Sequence, residues 1–275
     1  MWERMKTLWL VLNAASGSTS NAIVAAFEKA CAAYEIVGRT VFPSDPLPDA
    51  AKLDAAGADT LVVFGGDGTI NAATGKVDDW GGTCLVLPGG TMNGLAKTLH
   101  GNASWADILE RAPDGRIVHV PVAVCGAHRA MVGVILGPAS SWFHAREYVR
   151  AGAWSKIGRA LRYAARKTFA RTIRVAGDGA NAGRHRAVIV TARDHDLEIA
   201  AISSDGWFTA ARLGWSWLFG DWRDAGEVSV THAPSVELIS SRQVSALFDG
   251  EPAKLRSPVT VSHTMTRLSF IATKA

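Results

Sequence analysis

Over the first 115 residues, short continuous apolar runs alternate with stretches of helical periodicity. Residues 7–12 and 36–42 read as strands, and 61–64 and 83–87 are short apolar runs, as expected of strands buried on both faces. Between the first two runs, Ile23, Phe27, Ala30 and Tyr34 fall on one helical face, and Ser18 or Ser20 can cap a helix reaching Tyr34. Pro43, Pro46 and Pro48 break the chain before a short helix predicted at 49–56. Asn102 or Ser104 caps a further helix through Arg111. Strand alternating with helix implies a mainly parallel sheet covered on both faces, a Rossmann-like α/β domain over residues 1–115.

The pattern changes at Pro113-Asp114-Gly115. Strand-like runs then dominate at 117–124, 129–136, 186–192, 197–203, 207–213, 227–232, 236–240, 244–248, 259–263 and 268–272, punctuated by Gly, Asp, Ser and Pro. They predict a second domain over 116–275, an antiparallel β-sandwich interrupted by one helical insertion near 140–170.

Composition bounds the class. The chain has 275 residues, 48% of them hydrophobic, enough for two modest cores. Cys31, Cys84 and Cys125 lie far apart in apolar segments and read as reduced core residues. Only a short apolar run follows Arg4 and Lys6, and no stretch approaches the ~20 apolar residues of a membrane span, so a cytoplasmic protein is expected.

The net charge of +4 is unevenly placed: residues 146–174 hold nine basic side chains and one acidic, leaving the rest of the chain at −4. Lys156, Arg159, Arg162 and Arg166 follow helical steps beside an apolar face formed by Ile157, Leu161, Ala164 and Ala165. Such a helix suits a membrane surface, and it equally suits a solvated face. Nucleic acid is not expected, because no recognised module accompanies the charge. Trp215, Trp217 and Trp222 fit either the lipid interface or the β core.

The candidate chemistry lies at the ends of two strands. The run 61–64 leads into Gly65-Gly66-Asp67-Gly68-Thr69, with Ile70 and Asn71 expected to start a helix. The run 83–87 leads into Pro88-Gly89-Gly90-Thr91-Met92-Asn93-Gly94 and another helix. Glycines let backbone N–H groups approach phosphate, and a helix N-terminus favours negative charge. Two such loops on neighbouring parallel strands face a common crevice. A carboxylate there repels phosphate unless it meets a hydroxyl, a donor group or a metal, which makes Asp67 conspicuous. The P-loop pattern is absent: the spacing before Lys76 is wrong and Val77 replaces the required Ser or Thr.

GGDGT-x-N followed by P-x-GT-x-N-x-x-A resembles the catalytic domain of the diacylglycerol kinase family, relatives of sphingosine and ceramide kinases. Asn13-Ala14-Ala15-Ser16-Gly17 is similar to the family's N-P-x-S-G, and Lys156 through Tyr163 to its K-x-x-G-x-x-x-Y. Asp205-Gly206-Trp207 and Asp249-Gly250-Glu251 resemble two further motifs, all in family order. The resemblance implies an ATP- and Mg²⁺-dependent lipid kinase. It implies that Asn13, Ser16, Gly17, Gly65, Gly66, Asp67, Gly68, Thr69, Asn71, Gly90, Thr91 and Asn93 bind nucleotide. Asp67 would position the nucleotide or its magnesium, and Glu251 would act as general base, with Asp249 orienting it or binding metal. By spacing alone Asp249-Gly250 reads as a hairpin turn between Leu247-Phe248 and the next strand; the ordered resemblance favours the functional reading. Asp205, with the carbonyls of Ile202 and Trp207, is implied as a structural Mg²⁺ site.

The chain also departs from the family. Gly94 and Pro121 stand where the family usually has Asp, and Met131-Val132-Gly133 stands where it tends to have F-x-N before a glycine.

The function expected is phosphorylation of a diacylglycerol or related lipid alcohol, with ceramide or a sphingoid base next. The rivals are a NAD-kinase-like enzyme and, given Gly94 and Pro121, a degenerate nucleotide- or lipid-binding regulator. The expected partners are ATP and a lipid substrate at the membrane surface, which the basic helix carrying Lys156, Arg159, Arg162 and Arg166 would approach as a peripheral element. A homodimer stays open.

Overall fold

The structure is a computed structural model, which describes residues 5–13, 21–137, 172–177, 181–202, 228–241 and 243–274. Ser16, Gly17, the helical insertion with its four basic positions, Asp205, Trp207 and the 215–222 Trp cluster lie outside them. The chain divides into two compact units, Met1–Val120 with Met265–Ala275, and Pro121–Thr264.

The first unit holds β1 (Thr7–Leu12), β2 (Glu35–Val41), β3 (Thr60–Gly65), β4 (Thr83–Pro88), β5 (Arg116–Val118) and the last described strand, β18 (Ser269–Ala272). They form one sheet in the order β2-β1-β3-β4-β18-β5. All neighbours are parallel except β5, which runs antiparallel to β18. Helices α1 (Asn21–Ala30), α2 (Ala50–Ala55), α3 (Asp67–Lys76), α4 (Gly94–His100) and α5 (Trp105–Arg111) follow the strands.

The apolar runs of β1, β3 and β4 are continuous because both faces are covered. Every residue of β3 is buried. Leu8, Leu10, Leu12, Val62, Phe64, Leu85 and Leu87 share one core with Phe27 of α1 and Ile108 of α5. Positions of the opposite parity, Val11, Leu61, Val63, Cys84 and Val86, are equally buried, as are Ile70 of α3 and Leu95 of α4.

The division falls after Val120, five residues beyond the boundary expected at 115, and β18 joins the first unit rather than the β-sandwich. Pro113-Asp114-Gly115 is a turn inside the unit: a Cβ on Gly115 would lie 2.5 Å from Ile271 of β18. Apolar alternation records that β18 is a strand but carries no information about which sheet takes it.

The second unit holds β6 (Pro121–Cys125), β7 (His128–Ala130), β8 (Val134–Leu136), β9 (Ile173–Val175), β10 (Gly183–His185), β11 (Ala187–Ala192) and β12 (Leu197–Ile202). It continues with β13 (Val228–Ala233), β14 (Ser235–Ile239), β15 (Val244–Phe248), β16 (Glu251–Leu255) and β17 (Val259–Met265). One sheet runs β10-β9-β14-β17-β6-β7 and the other β13-β12-β11-β8-β15-β16. Val236, Leu238, Val259 and Val261 of the first share a core with Val134, Leu136, Val188 and Val190 of the second, so the expected sandwich is present.

The run expected at 129–136 is two strands, β7 and β8, which lie in different sheets. The chain changes sheet at 131–133, where the backbone amides serve a side chain instead of a ladder. The run expected at 117–124 is likewise split between β5 and β6. β9, β10 and, except as the strand that follows the Asp249-Gly250 turn, β16 fall outside the predicted runs. The first two are three residues long, and β16 carries Glu, Pro and Lys, a composition tolerated at a sheet edge.

α4 is anchored at its C-terminal end. Leu99 O accepts the amides of Thr273 and Lys274 at 3.1 and 3.0 Å, and His100 Nδ1 lies 2.9 Å from Thr273 Oγ1. The His100 ring is buried, and burial pushes its pKa down to about 4 against a smaller opposing pull from the Val86 carbonyl. The folded state therefore holds the neutral ring, while the unfolded chain takes up a proton near pH 6.5. The stabilisation is complete above pH ~6.5 and is lost as pH falls toward 4, by about 3 kcal/mol. Urea denaturation at pH 7, 5.5 and 4 should show this fall, and His100→Asn should flatten it. An identical pH slope in the variant would place the titrating group elsewhere.

Candidate active site

The parallel register brings the carboxyl ends of β1, β3 and β4 together, with Leu12 beside Phe64 and Gly65 beside Pro88. Hydrogen bonds extend the ladder past both ends. Asn13 N–H donates to Phe64 O at 3.1 Å, and Gly89 N–H donates to Gly65 O at 2.9 Å. The Asn13 side-chain amide donates to Thr69 Oγ1 at 2.7 Å, tying the end of β1 to the start of α3.

Gly66 is the N-cap of α3, and the helix begins at Asp67 rather than at Ile70 as the sequence suggested. The first intrahelical bond runs from Ile70 N–H to Gly66 O at 3.0 Å, so Asp67, Gly68 and Thr69 form the first turn. The glycines disguised that turn as a loop. Gly66 has no side chain and makes no side-chain cap. Asp49 caps α2 by accepting the Lys52 amide at 2.9 Å, and Ser104 caps α5 in a capping box with Asp107.

The second loop packs backbone to backbone on the first. A Cβ on Gly90 would lie 2.6 Å from Gly66 Cα, so the approach requires glycine. Asn93 adopts φ +51°, and its side chain closes the loop on Gly90, accepting the amide at 2.7 Å and donating to the carbonyl at 2.8 Å. Thr91 is exposed, and Asn71 is half-buried on α3.

The donor group that makes Asp67 tolerable is backbone. Its two carboxylate oxygens accept the amides of Gly94 and Leu95, the first two residues of α4, at 3.1 and 3.2 Å. Asp67 thus caps α4 from the first turn of α3, placing a negative charge on α4's positive end. The amides of Gly89, Gly94 and Leu95 were not singled out from the sequence. Gly94 entered only as a departure, and a cap supplied from 27 residues away leaves no local signature.

In the second unit, Asp249 and Gly250 form the two-residue turn between β15 and β16, with φ +48° and +89° and Phe248 paired with Glu251. The motif and the hairpin turn are the same residues. Asp249 Oδ2 accepts the Met131 amide at 2.8 Å, and Oδ1 accepts those of Val132 and Gly133 at 2.9 and 3.0 Å. Glu251 opens β16 with its side chain exposed.

Ile202 ends β12, and its carbonyl accepts the Arg186 amide at 2.9 Å. Among the described residues no group of three or more His, Cys, Asp or Glu side chains could hold a metal. The two glycine loops meet through backbone alone, and a single Cβ at Gly90 would disrupt their packing.

Residues 7–125 match the family model of the diacylglycerol kinase catalytic domain, which bears out the resemblance read from the glycine motifs. A diacylglycerol kinase structure from Bacillus anthracis str. Sterne is 16% identical with a TM-score of 0.67 and covers 99% of this chain and 98% of that one. A second structure from the same organism has 18% identity, a TM-score of 0.66 and the same coverage. These likenesses show that the fold is shared across both units. No curated protein matches the chain.

Proposed function

From the diacylglycerol kinase catalytic-domain match over residues 7–125, we propose that the protein transfers the γ-phosphoryl group of ATP to the hydroxyl of a diacylglycerol or related lipid alcohol. The observation that carries this is the uncapped N-terminus of α3. Its first-turn amides follow a Gly-Gly exit from a buried strand, and no side chain fills the cap position. The phosphate chain lies against those amides, on the outer side of the packed loops at Gly65-Gly66 and Gly89-Gly90. Asn13 and Thr69 fix one wall through their mutual hydrogen bond, and Asn93 fixes the other by closing its loop on Gly90. Asp67 holds α4 against α3 and so keeps the crevice in register. ATP enters as its Mg²⁺ complex, which offsets phosphate charge. Glu251 takes the proton of the acceptor hydroxyl.

An acceptor panel tests this: labelled ATP against diacylglycerol, ceramide, sphingosine and NAD. Label in diacylglycerol is expected. Label in NAD alone would move the protein to NAD-kinase-like chemistry, and label in none would favour a regulator.

A lipid acceptor requires a visit to the bilayer, and the basic run at 146–174 is the proposed contact. Each Lys or Arg near an anionic surface contributes about 1 kcal/mol. The triple variant Arg159→Glu, Arg162→Glu, Arg166→Glu should therefore lose several kcal/mol of binding to anionic vesicles. Binding of the unaltered protein should fall as salt rises. Activity on a short-chain lipid should survive the reversal. Co-sedimentation that ignores both salt and reversal would leave the segment a solvated face.

A further inference from the structure

Building on Glu251 as proton acceptor, we propose that Asp249 is its positioning residue, acting by clasping the corner where the chain passes from one sheet of the sandwich to the other. β7 and β8 belong to different sheets, and only residues 131–133 join them. All three amides of that corner converge on the Asp249 carboxylate, at 2.8, 2.9 and 3.0 Å. The Asp249 amide returns a bond to Gly133 O at 3.1 Å. Side chain and backbone of one residue thus make four bonds to three successive residues.

A two-residue hairpin does not need this. Asn-Gly satisfies a turn with two positive φ angles at least as well as Asp-Gly, without any tertiary partner. What the carboxylate adds is acceptor capacity: two oxygens can serve three converging donors, whereas the single oxygen of an amide cannot match that geometry. The hairpin is held a second way. The His128 ring of β7 stacks on Phe248 with centroids 5.1 Å apart, and Phe248 is the cross-strand partner of Glu251. The backbone on which Glu251 stands is therefore fixed from both sides of the corner, while its own side chain stays exposed. An exposed base on an edge strand needs such an anchor, because misplacement by ~1 Å can cost 10²-fold in rate. Asp249 does this without touching substrate.

The test is a double-mutant cycle in kcat with short-chain diacylglycerol, with ATP KM and melting temperature recorded for each protein. Asp249→Asn keeps the turn-forming pair and removes one acceptor oxygen. It should lower kcat roughly 10–100-fold with ATP KM little changed. In a Glu251→Gln background the same change should have no further effect on kcat, because the group being positioned is already gone. A second loss of equal size in that background would overturn the proposal, as would wild-type kcat in Asp249→Asn alone. Wild-type kcat in Glu251→Gln alone would instead remove the assigned base, a separate failure. Amide hydrogen exchange on the unaltered protein gives a check that does not depend on the variant folding. The Met131, Val132 and Gly133 amides should exchange as slowly as those of β8 and β15. Exchange at the rate of an open loop would refute the clasp.

Discussion

Asp67→Ala is expected to abolish phosphoryl transfer while leaving the parallel sheet folded. Two effects combine. The amides of Gly94 and Leu95 lose their acceptor, and the end of α4 loses its negative charge. Leaving partly buried donors without a partner costs about 1–3 kcal/mol, and the lost charge adds several tenths. A unit with fully buried central strands tolerates this, so the melting temperature should fall by several degrees rather than collapse. The crevice does not tolerate it. Asp67 is the only side chain among the described residues hydrogen-bonded from the first turn of α3 to the first turn of α4, and α4 carries the Asn93-closed loop at its start. Release of α4 moves that wall, and displacement by ~1 Å accounts for a loss of about 100-fold or more. Asp67→Asn, which keeps one acceptor oxygen, should lie between the two. Activity and melting temperature measured on the same preparations decide the matter. A folded Asp67→Ala protein with unaltered activity would show that α4 needs no such tie.

Glu251→Gln should lower kcat by roughly 10²–10⁴-fold, the range of general-base catalysis, and leave ATP binding unchanged. The substitution preserves shape and removes basicity. Glu251 is exposed at the start of an edge strand, so the variant should melt with the unaltered protein. The two variants therefore separate in their signatures, since Asp67→Ala affects both stability and nucleotide handling. A kcat within a factor of about two, too small for general-base catalysis, would make Glu251 structural.

Much of this architecture is legible in the residues. The runs at 61–64 and 83–87 are buried strands because parallel sheets covered on both faces need no polar alternation, and their glycine exits mark the crevice. Ser104 announces the start of α5 through a local capping box. What stayed hidden is long-range. Asp67 reads as a ligand residue in a glycine loop, yet its partners are amides of a helix that begins 27 residues on. Asp249 reads as a turn residue or a metal ligand, and its partners lie 116 to 118 residues earlier. Backbone amides have no sequence identity, so no motif can record them as a binding partner. β18 was misassigned for a related reason: a strand carries its faces in its pattern but not its neighbours.

In the proposed function, the N-terminus of α3 delivers the γ-phosphoryl group of ATP to a lipid hydroxyl. The most direct test is a single-turnover reaction with γ-labelled ATP, Mg²⁺ and short-chain diacylglycerol, followed by extraction of the lipid. Label in the extracted lipid phosphate, absent with Asp67→Ala and slowed with Glu251→Gln, is the predicted result. Label that stays in ATP, or appears only as free phosphate, would contradict it.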